Sequence, residues 1–174
     1  MTGEWLPPEE WLHVQAVMPI ACVDAVPVRR RSNSLRVGLI LRQTPHQGKR
    51  WCFVGGRIRR GESLVGALLR EWRSVFGPSC NVGPVPEPTV VEYHPDSVPG
   101  RPHDPRKHAI SMTYLLTGCS DPESVSGEAL DFRWFPLDEL TSDLMGFGQE
   151  TVTAGLITRI DQSESPIHPS GGGT

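Results

Sequence analysis

Gly55-Gly56 is followed at close spacing by Glu62 and then by the adjacent pair Arg70-Glu71. Glycine lets backbone approach a phosphate or a cation closely. A guanidinium forks onto phosphate oxygens, and a carboxylate suits a hard divalent ion. Together these types fit phosphate chemistry, although a Gly-Gly turn alone would mean only a loop. Arginine also clusters at Arg57–Arg60 and Arg29–Arg31. Both are compatible with an anion site, but Arg29–Arg31 reads better as a solvated hairpin tip. His94, His103 and His108 are acid/base candidates, with His94 the foremost; each alone also fits a structural or exposed role. A metal cluster built from Asp96, His103, Asp104 and His108 lacks a known ligand spacing.

The elements that must position these groups can be read in outline. Pro7-Pro8-Glu9-Glu10 opens a short helix that runs to Met18, before Pro19. Ile20 to Val28 and Leu35 to Leu41 predict a hairpin turning at Arg30 to Asn33. Trp51 to Val54 predicts a short strand. Ser63 to Phe76 carries an apolar stripe through Leu64, Leu68, Trp72 and Phe76 and stops at Gly77-Pro78, the clearest helix in the chain. Thr89 to Tyr93, Ala109 to Thr117 and Leu130 to Phe135 read as strands, and Gln149 to Ile160 as a final helix. His94 to His108 is a long loop rich in proline and glycine, the expected cover of a site. Periodicity alone gives an α/β or α+β fold with a mixed sheet. Length predicts one domain over residues 1–161, and the Gly-Ser tail over 162–174 reads as disordered.

Gly56-x5-Glu62-x7-Arg70-Glu71-Trp72-x-Ser74-Val75-x-Gly77 resembles the Nudix box, G-x5-E-x7-R-E-U-x-E-E-x-G-U, in which U is bulky and apolar. The resemblance implies an α/β/α sandwich and a diphosphate held against Mg2+ or Mn2+. It also implies metal ligation by Glu71 and the Gly56 carbonyl, and a structural ion pair between Glu62 and Arg70. The sequence departs from the pattern where two further carboxylates belong: Ser74 and Val75 stand there. Residues three and four apart share a helix face, so carboxylates at 71, 74 and 75 would converge on one cation. Only Glu71 remains of that set.

The likeness extends over roughly residues 5–140 to the GDP-mannose mannosyl hydrolases. It rests on Trp5-Leu6-Pro7, Val17-Met18-Pro19-Ile20, Leu39-Ile40-Leu41-Arg42, Trp51-x-Phe53-Val54 and Asp131-Phe132-Arg133-Trp134. This implies diphosphate contacts from Arg42, Arg57 and Arg70, a nucleotide sugar as substrate, and a homodimer. The position of that branch's catalytic histidine falls on Ala129. Glu128 beside it becomes the candidate metal ligand or general base, and equally fits a solvated turn.

A net charge of −3 gives no support for binding a nucleic acid polymer. No apolar run approaches a membrane span of about 20 residues. Cys22, Cys52, Cys80 and Cys119 have no C-x-x-C spacing, and the opening residues lack an export pattern. A cytoplasmic protein with reduced thiols is the expectation. Three readings stay open: a metal-dependent Nudix hydrolase, a Nudix-fold module that binds a nucleotide without turnover, and a biosynthetic enzyme with repurposed chemistry.

Overall fold

A computed structural model describes residues 6–32 and 34–163. In chain order the elements are α1 (Pro8–Val17), β1 (Ile20–Arg31), β2 (Ser34–Thr44), β3 (Gly48–Cys52), β4 (Val54–Arg57), α2 (Leu64–Phe76), β5 (Thr89–Tyr93), β6 (Ala109–Leu116), β7 (Ala129–Pro136) and α3 (Gln149–Ser163). A single 3-10 turn, Leu137–Glu139, follows β7.

β1 organises the sheet. It pairs antiparallel with β2 and with β4, and parallel with β6. β3 and β7 add to β2, and β5 adds to β6, giving a mixed sheet of seven strands. A strand covered on both faces must be apolar on both, and Cys22 to Val28 of β1 are all buried. Val23 and Ala25 pack with Leu68, Trp72, Val75 and Phe76 of α2. Val26 and Val28 pack in a second cluster with Val152 and Leu156 of α3. Helices therefore cover both faces, the expected sandwich. α1 buries none of its residues and leaves Leu12, Val17 and Met18 exposed.

α2 forms where the apolar stripe predicts it. Ser63 caps its start by accepting the Gly66 N–H at 3.0 Å, and Gly77 at φ 78° ends it. Several boundaries differ from the sequence reading. β1 runs on to Arg31 because the ladder continues through Arg29↔Arg36 to Arg31↔Ser34, so the arginines expected at a hairpin tip belong to the strand. Arg29 stacks over Trp134 at 4.0 Å and pairs with Asp121 at 2.7 Å. The strand expected from Trp51 to Val54 is two strands. The break falls at Phe53, whose N–H goes to Gln149 Oε1 at 2.9 Å as the chain passes from β2 to β1. The final helix continues to Ser163, and the rest of the expected tail lies outside the described residues.

A methyl group at Gly55 would collide with the Val23 carbonyl oxygen and an Asp24 carboxylate oxygen, whereas one at Gly155 in α3 would meet nothing within 4 Å. Gly55→Ala should therefore cost about 1–3 kcal/mol by overpacking. Gly155→Ala should gain about 0.5–1 kcal/mol by relieving helix entropy. Urea unfolding midpoints that moved the same way in both variants would contradict this account.

Candidate functional site

A cleft of about 260 Å³ opens beside the β4–α2 loop and is closed from the other side by the β5–β6 loop and the chain entering α3. Arg42, Arg57, Arg59, Arg70, Arg106 and Lys107 line it, against the carboxylates of Asp24, Glu71, Asp104 and Glu128. Cations outnumber acids, so the cleft is suited to an anion.

Arg70 fixes the wall built from the glycine loop and α2. Its Nε and Nη2 donate to the two Glu62 oxygens at 2.7 and 2.9 Å. Nη2 also donates to the Arg57 carbonyl at 2.9 Å, and Nη1 to Glu71 at 2.5 Å. Glu62 further accepts the Arg59 N–H at 3.0 Å. The fork holds the Glu62 carboxyl below the usual carboxylate range. Glu62 and Arg70 thus form a bidentate ion pair between the loop before α2 and the helix itself. Arg70 lines the cleft with each guanidinium nitrogen already engaged by the protein. Arg57 lies over the Trp11 ring at 4.1 Å. Burial, then the nearby charges of Arg59 and Arg70, disfavours its protonated form, a strain that an anion relieves.

Glu71 projects from α2 against Gly56, where any side chain would collide with its carboxylate. Glu128 approaches from the start of β7 and pairs with Arg42 at 2.6 Å. Arg42 sits at an irregularity in the β2–β7 ladder, and such bulges re-aim side chains. Its Nε is buried with no hydrogen-bond partner. Burial raises the Glu128 pKa; Arg42 opposes the rise and the Glu71 charge adds to it. The Glu71 charge is thus felt at Glu128 across the cleft.

The donor set for a cation is short. Ser74 Oγ turns back to the Glu71 carbonyl at 2.7 Å, and Val75 is 2% exposed within the core. Among the described residues no three His, Cys, Asp or Glu side chains form a ligating group. Glu71, Glu128 and the Gly56 carbonyl amount to a partial seat for a hard cation, one that ligand oxygens would have to complete.

The floor of the cleft carries groups that the sequence reading missed. Asp24 Oδ2 accepts Ser111 Oγ–H at 2.7 Å and Tyr93 O–H at 3.1 Å, and Gln149 Nε2 donates to the Tyr93 oxygen at 3.2 Å. Burial raises the Asp24 pKa against the pull of these hydrogen bonds. A lone aspartate in the apolar run Cys-Val-Asp-Ala-Val was the available signal. Burial also pushes the Cys22 and Cys52 thiols up to about 11 and about 12, which makes them poor nucleophiles. His94 does not line the cleft. Its Nδ1 accepts the Asp96 N–H at 3.1 Å, and its ring lies 5.5 Å from that of His108.

Helix-covered mixed sheet, glycine loop and α2 together make this a protein of the Nudix fold. A possible asymmetric diadenosine tetraphosphate hydrolase from Jonesia denitrificans is similar at 28% identity and TM-score 0.69, over 86% of this chain and 99% of the other. The NUDIX domain of Shewanella oneidensis NrtR complexed with ADP ribose gives 20% identity and TM-score 0.66, over 89% and 99%. A MutT/nudix family protein from Enterococcus faecalis gives 18% and 0.67, over 91% and 76%. The chain belongs to the family described as a domain of unknown function, DUF4916, whose profile matches residues 1–161. No curated protein matches it.

Two pH dependences of opposite sign follow. Glu62 has a depressed folded pKa, so its contribution is complete above the unfolded value of about 4 and is lost as pH falls through the folded value. Glu62→Gln should cost about 1–3 kcal/mol at pH 7, and its melting temperature should converge on the parent's in acid. Asp24 has a raised folded pKa, so the parent should gain stability relative to Asp24→Asn as pH falls from 7 toward about 4. Thermal melts from pH 7 to about 4 check Asp24, and melts carried below about pH 4 check Glu62; curves that stay parallel to the parent's within its own window would contradict that assignment.

Proposed function

We propose that this protein hydrolyses a nucleoside diphosphate-linked substrate, a nucleotide sugar, in the cleft between α2 and the β5–β6 loop. The observation that carries the reading is the meeting of Arg42, Arg57 and Arg59 with the facing carboxylates Glu71 and Glu128 in one cavity. Arg42 has an unmet buried donor and Arg57 is crowded by like charge. Both are suited to diphosphate oxygens. Arg70 positions Glu71 and the loop, and its bonds within the protein make it a scaffold more than a ligand group.

Glu71, the Gly56 carbonyl and Glu128 would hold Mg2+ or Mn2+ together with phosphate oxygens. The ion would supply charge neutralisation on the leaving diphosphate. Glu128 is the candidate base: it faces the cleft beside Arg42, burial raises its pKa, and a raised pKa makes a carboxylate a better proton acceptor. Arg42 sits on Glu128 in the free protein, and a bound diphosphate competes for that guanidinium, leaving the carboxylate to activate water. The likeness to the mannosyl hydrolases favours attack at the sugar carbon, releasing nucleoside diphosphate.

A second reading, nucleotide binding without turnover, draws on the burial of Val75 and on Ser74, whose exposed hydroxyl bonds back to the Glu71 carbonyl, so that two carboxylate positions of the box offer no ligand. Product analysis by NMR separates the two. GDP-, ADP- and UDP-sugars with Mn2+ should yield nucleoside diphosphate and free sugar. Chelator should abolish the activity, and Glu71→Gln or Glu128→Gln should each reduce it by about 100-fold or more. Saturable binding with no product would establish the binding module instead. Nucleoside monophosphate as product would move the attack to phosphorus.

A further inference from the structure

The β5–β6 loop brings cleft-facing cations that the proposed hydrolysis leaves unused. Asp104 is 4% exposed, and it organises the turn that follows it. Its Oδ1 accepts the Arg106 backbone N–H at 3.1 Å and the Nε–H at 2.8 Å, and its Oδ2 accepts Arg106 Nη2 at 2.7 Å. Lys107 Nζ stands 3.9 Å from that same Oδ2. The backbone is tied as firmly: Asp104 N–H donates to the His94 carbonyl at 3.1 Å, Lys107 N–H to the Asp104 carbonyl at 3.1 Å, and His103 N–H to the Phe147 carbonyl at 2.9 Å. The loop is thus held to β5 and to the chain entering α3. Its two cations are preorganised, which removes much of the entropy cost of ordering long side chains on binding.

Both cations look into the cleft. Arg106 and Lys107 line it together with Cys22, Asp24 and Glu128, and Lys107 is 16% exposed. These two stand on the β5–β6 loop, while Arg57 and Arg59 belong to the glycine loop that the diphosphate reading already uses. Lys107 shares its carboxylate with Arg106, which holds it at much shorter range, so the ammonium keeps donor capacity for a ligand. A diphosphate is served by Arg42, Arg57 and Arg59; two further fixed cations exceed its need.

Resting on the nucleotide reading above, we infer that the Arg106–Lys107 turn is a second anion subsite, and that the ligand carries a further anionic group beyond its diphosphate. That group is a carboxylate or phosphate on the appended moiety, or a third phosphate in the chain. The chemistry is the same in each case: an oxyanion receiving charge-assisted hydrogen bonds from a clamped lysine and arginine.

Isothermal titration of the full chain with two matched pairs of probes tests this. UDP-glucuronate and UDP-glucose differ by one carboxylate; inorganic tripolyphosphate and pyrophosphate differ by one phosphate. The parent should prefer the more anionic member of at least one pair by about tenfold, the worth of one charge-assisted hydrogen bond. Lys107→Gln should erase that preference and leave the less anionic member within about twofold, because a lost point charge outside the diphosphate site changes little there. Lys107→Gln keeps the Asp104–Arg106 clamp, and Lys107→Arg should restore the preference, which separates lost charge from a disturbed loop. Preference in the first pair places the anion on the appended moiety, and in the second pair on a longer phosphate chain. Equal affinity within both pairs, or a preference that survives Lys107→Gln, overturns the subsite while the nucleotide reading stands. Binding of none of the four probes overturns both.

Discussion

The Arg70 guanidinium is the interaction on which the rest of the site depends. One side chain on α2 closes on Glu62, Glu71 and the Arg57 carbonyl, tying β4, which carries Gly55 and Gly56, and the loop after it to the helix behind them. The position of each group on that wall is set relative to this fork. Arg57 leaves the loop at the residue whose carbonyl the fork holds. Glu71 is kept against Gly56, where only a hydrogen leaves room. A partly buried pair of this type adds little net stability compared with an apolar replacement. Its value lies in geometry: the loop has one place to be.

Charge in the cleft is balanced by pairing within the protein, and each pairing limits what the site can do. Glu71 leans on Arg70 and Glu128 on Arg42. The carboxylates are neutralised before any cation arrives, and the arginines are screened before any phosphate does. The floor is built on another basis. Asp24 is held among Tyr93, Ser111 and Gln149 with its charge disfavoured by burial. The network joins β1, β5 and β6 to the start of α3, and Gln149 also takes the Phe53 N–H where the sheet changes partner. A polar floor of this kind is costly unless each member finds a partner, and the hydroxyls and amide supply them.

At position 75 the physics of the core and the physics of the box pull apart. Burying a valine contributes about 1.5–3 kcal/mol, whereas an unpaired carboxylate in the same place would cost several kcal/mol. Val75 packs with Trp72, Phe76 and Val23, and its carbonyl accepts the Ser126 N–H at 2.8 Å, which docks the segment leading to Glu128. The chain has given that side of α2 to packing. The carboxylates of Glu71 and Glu128 still face the cleft, the second from just before β7 and distant in sequence.

Local chemistry along the chain specifies α2, its stop at Gly77, the valine-rich β1 and the register of Gly56, Glu62, Arg70 and Glu71. These are local properties: helical periodicity, turn chemistry and spacing along one element, which short stretches of chain carry without help. The Glu62–Arg70 pair was expected only through the resemblance to the Nudix box, although both ends belong to one loop–helix unit. Only the tertiary structure decided the rest. The split between β3 and β4 depends on a hydrogen bond from Phe53 to Gln149, and the extension of β1 to Arg31 depends on a partner strand. Asp24 entered the cleft because β5, β6 and α3 surround it. Arg106 and Lys107 entered because Asp104 turns their loop inward, and His94, on that same loop, was left out. Each of these rests on contacts between residues far apart in the chain, and residue type and spacing do not encode which distant partner a polar group will meet.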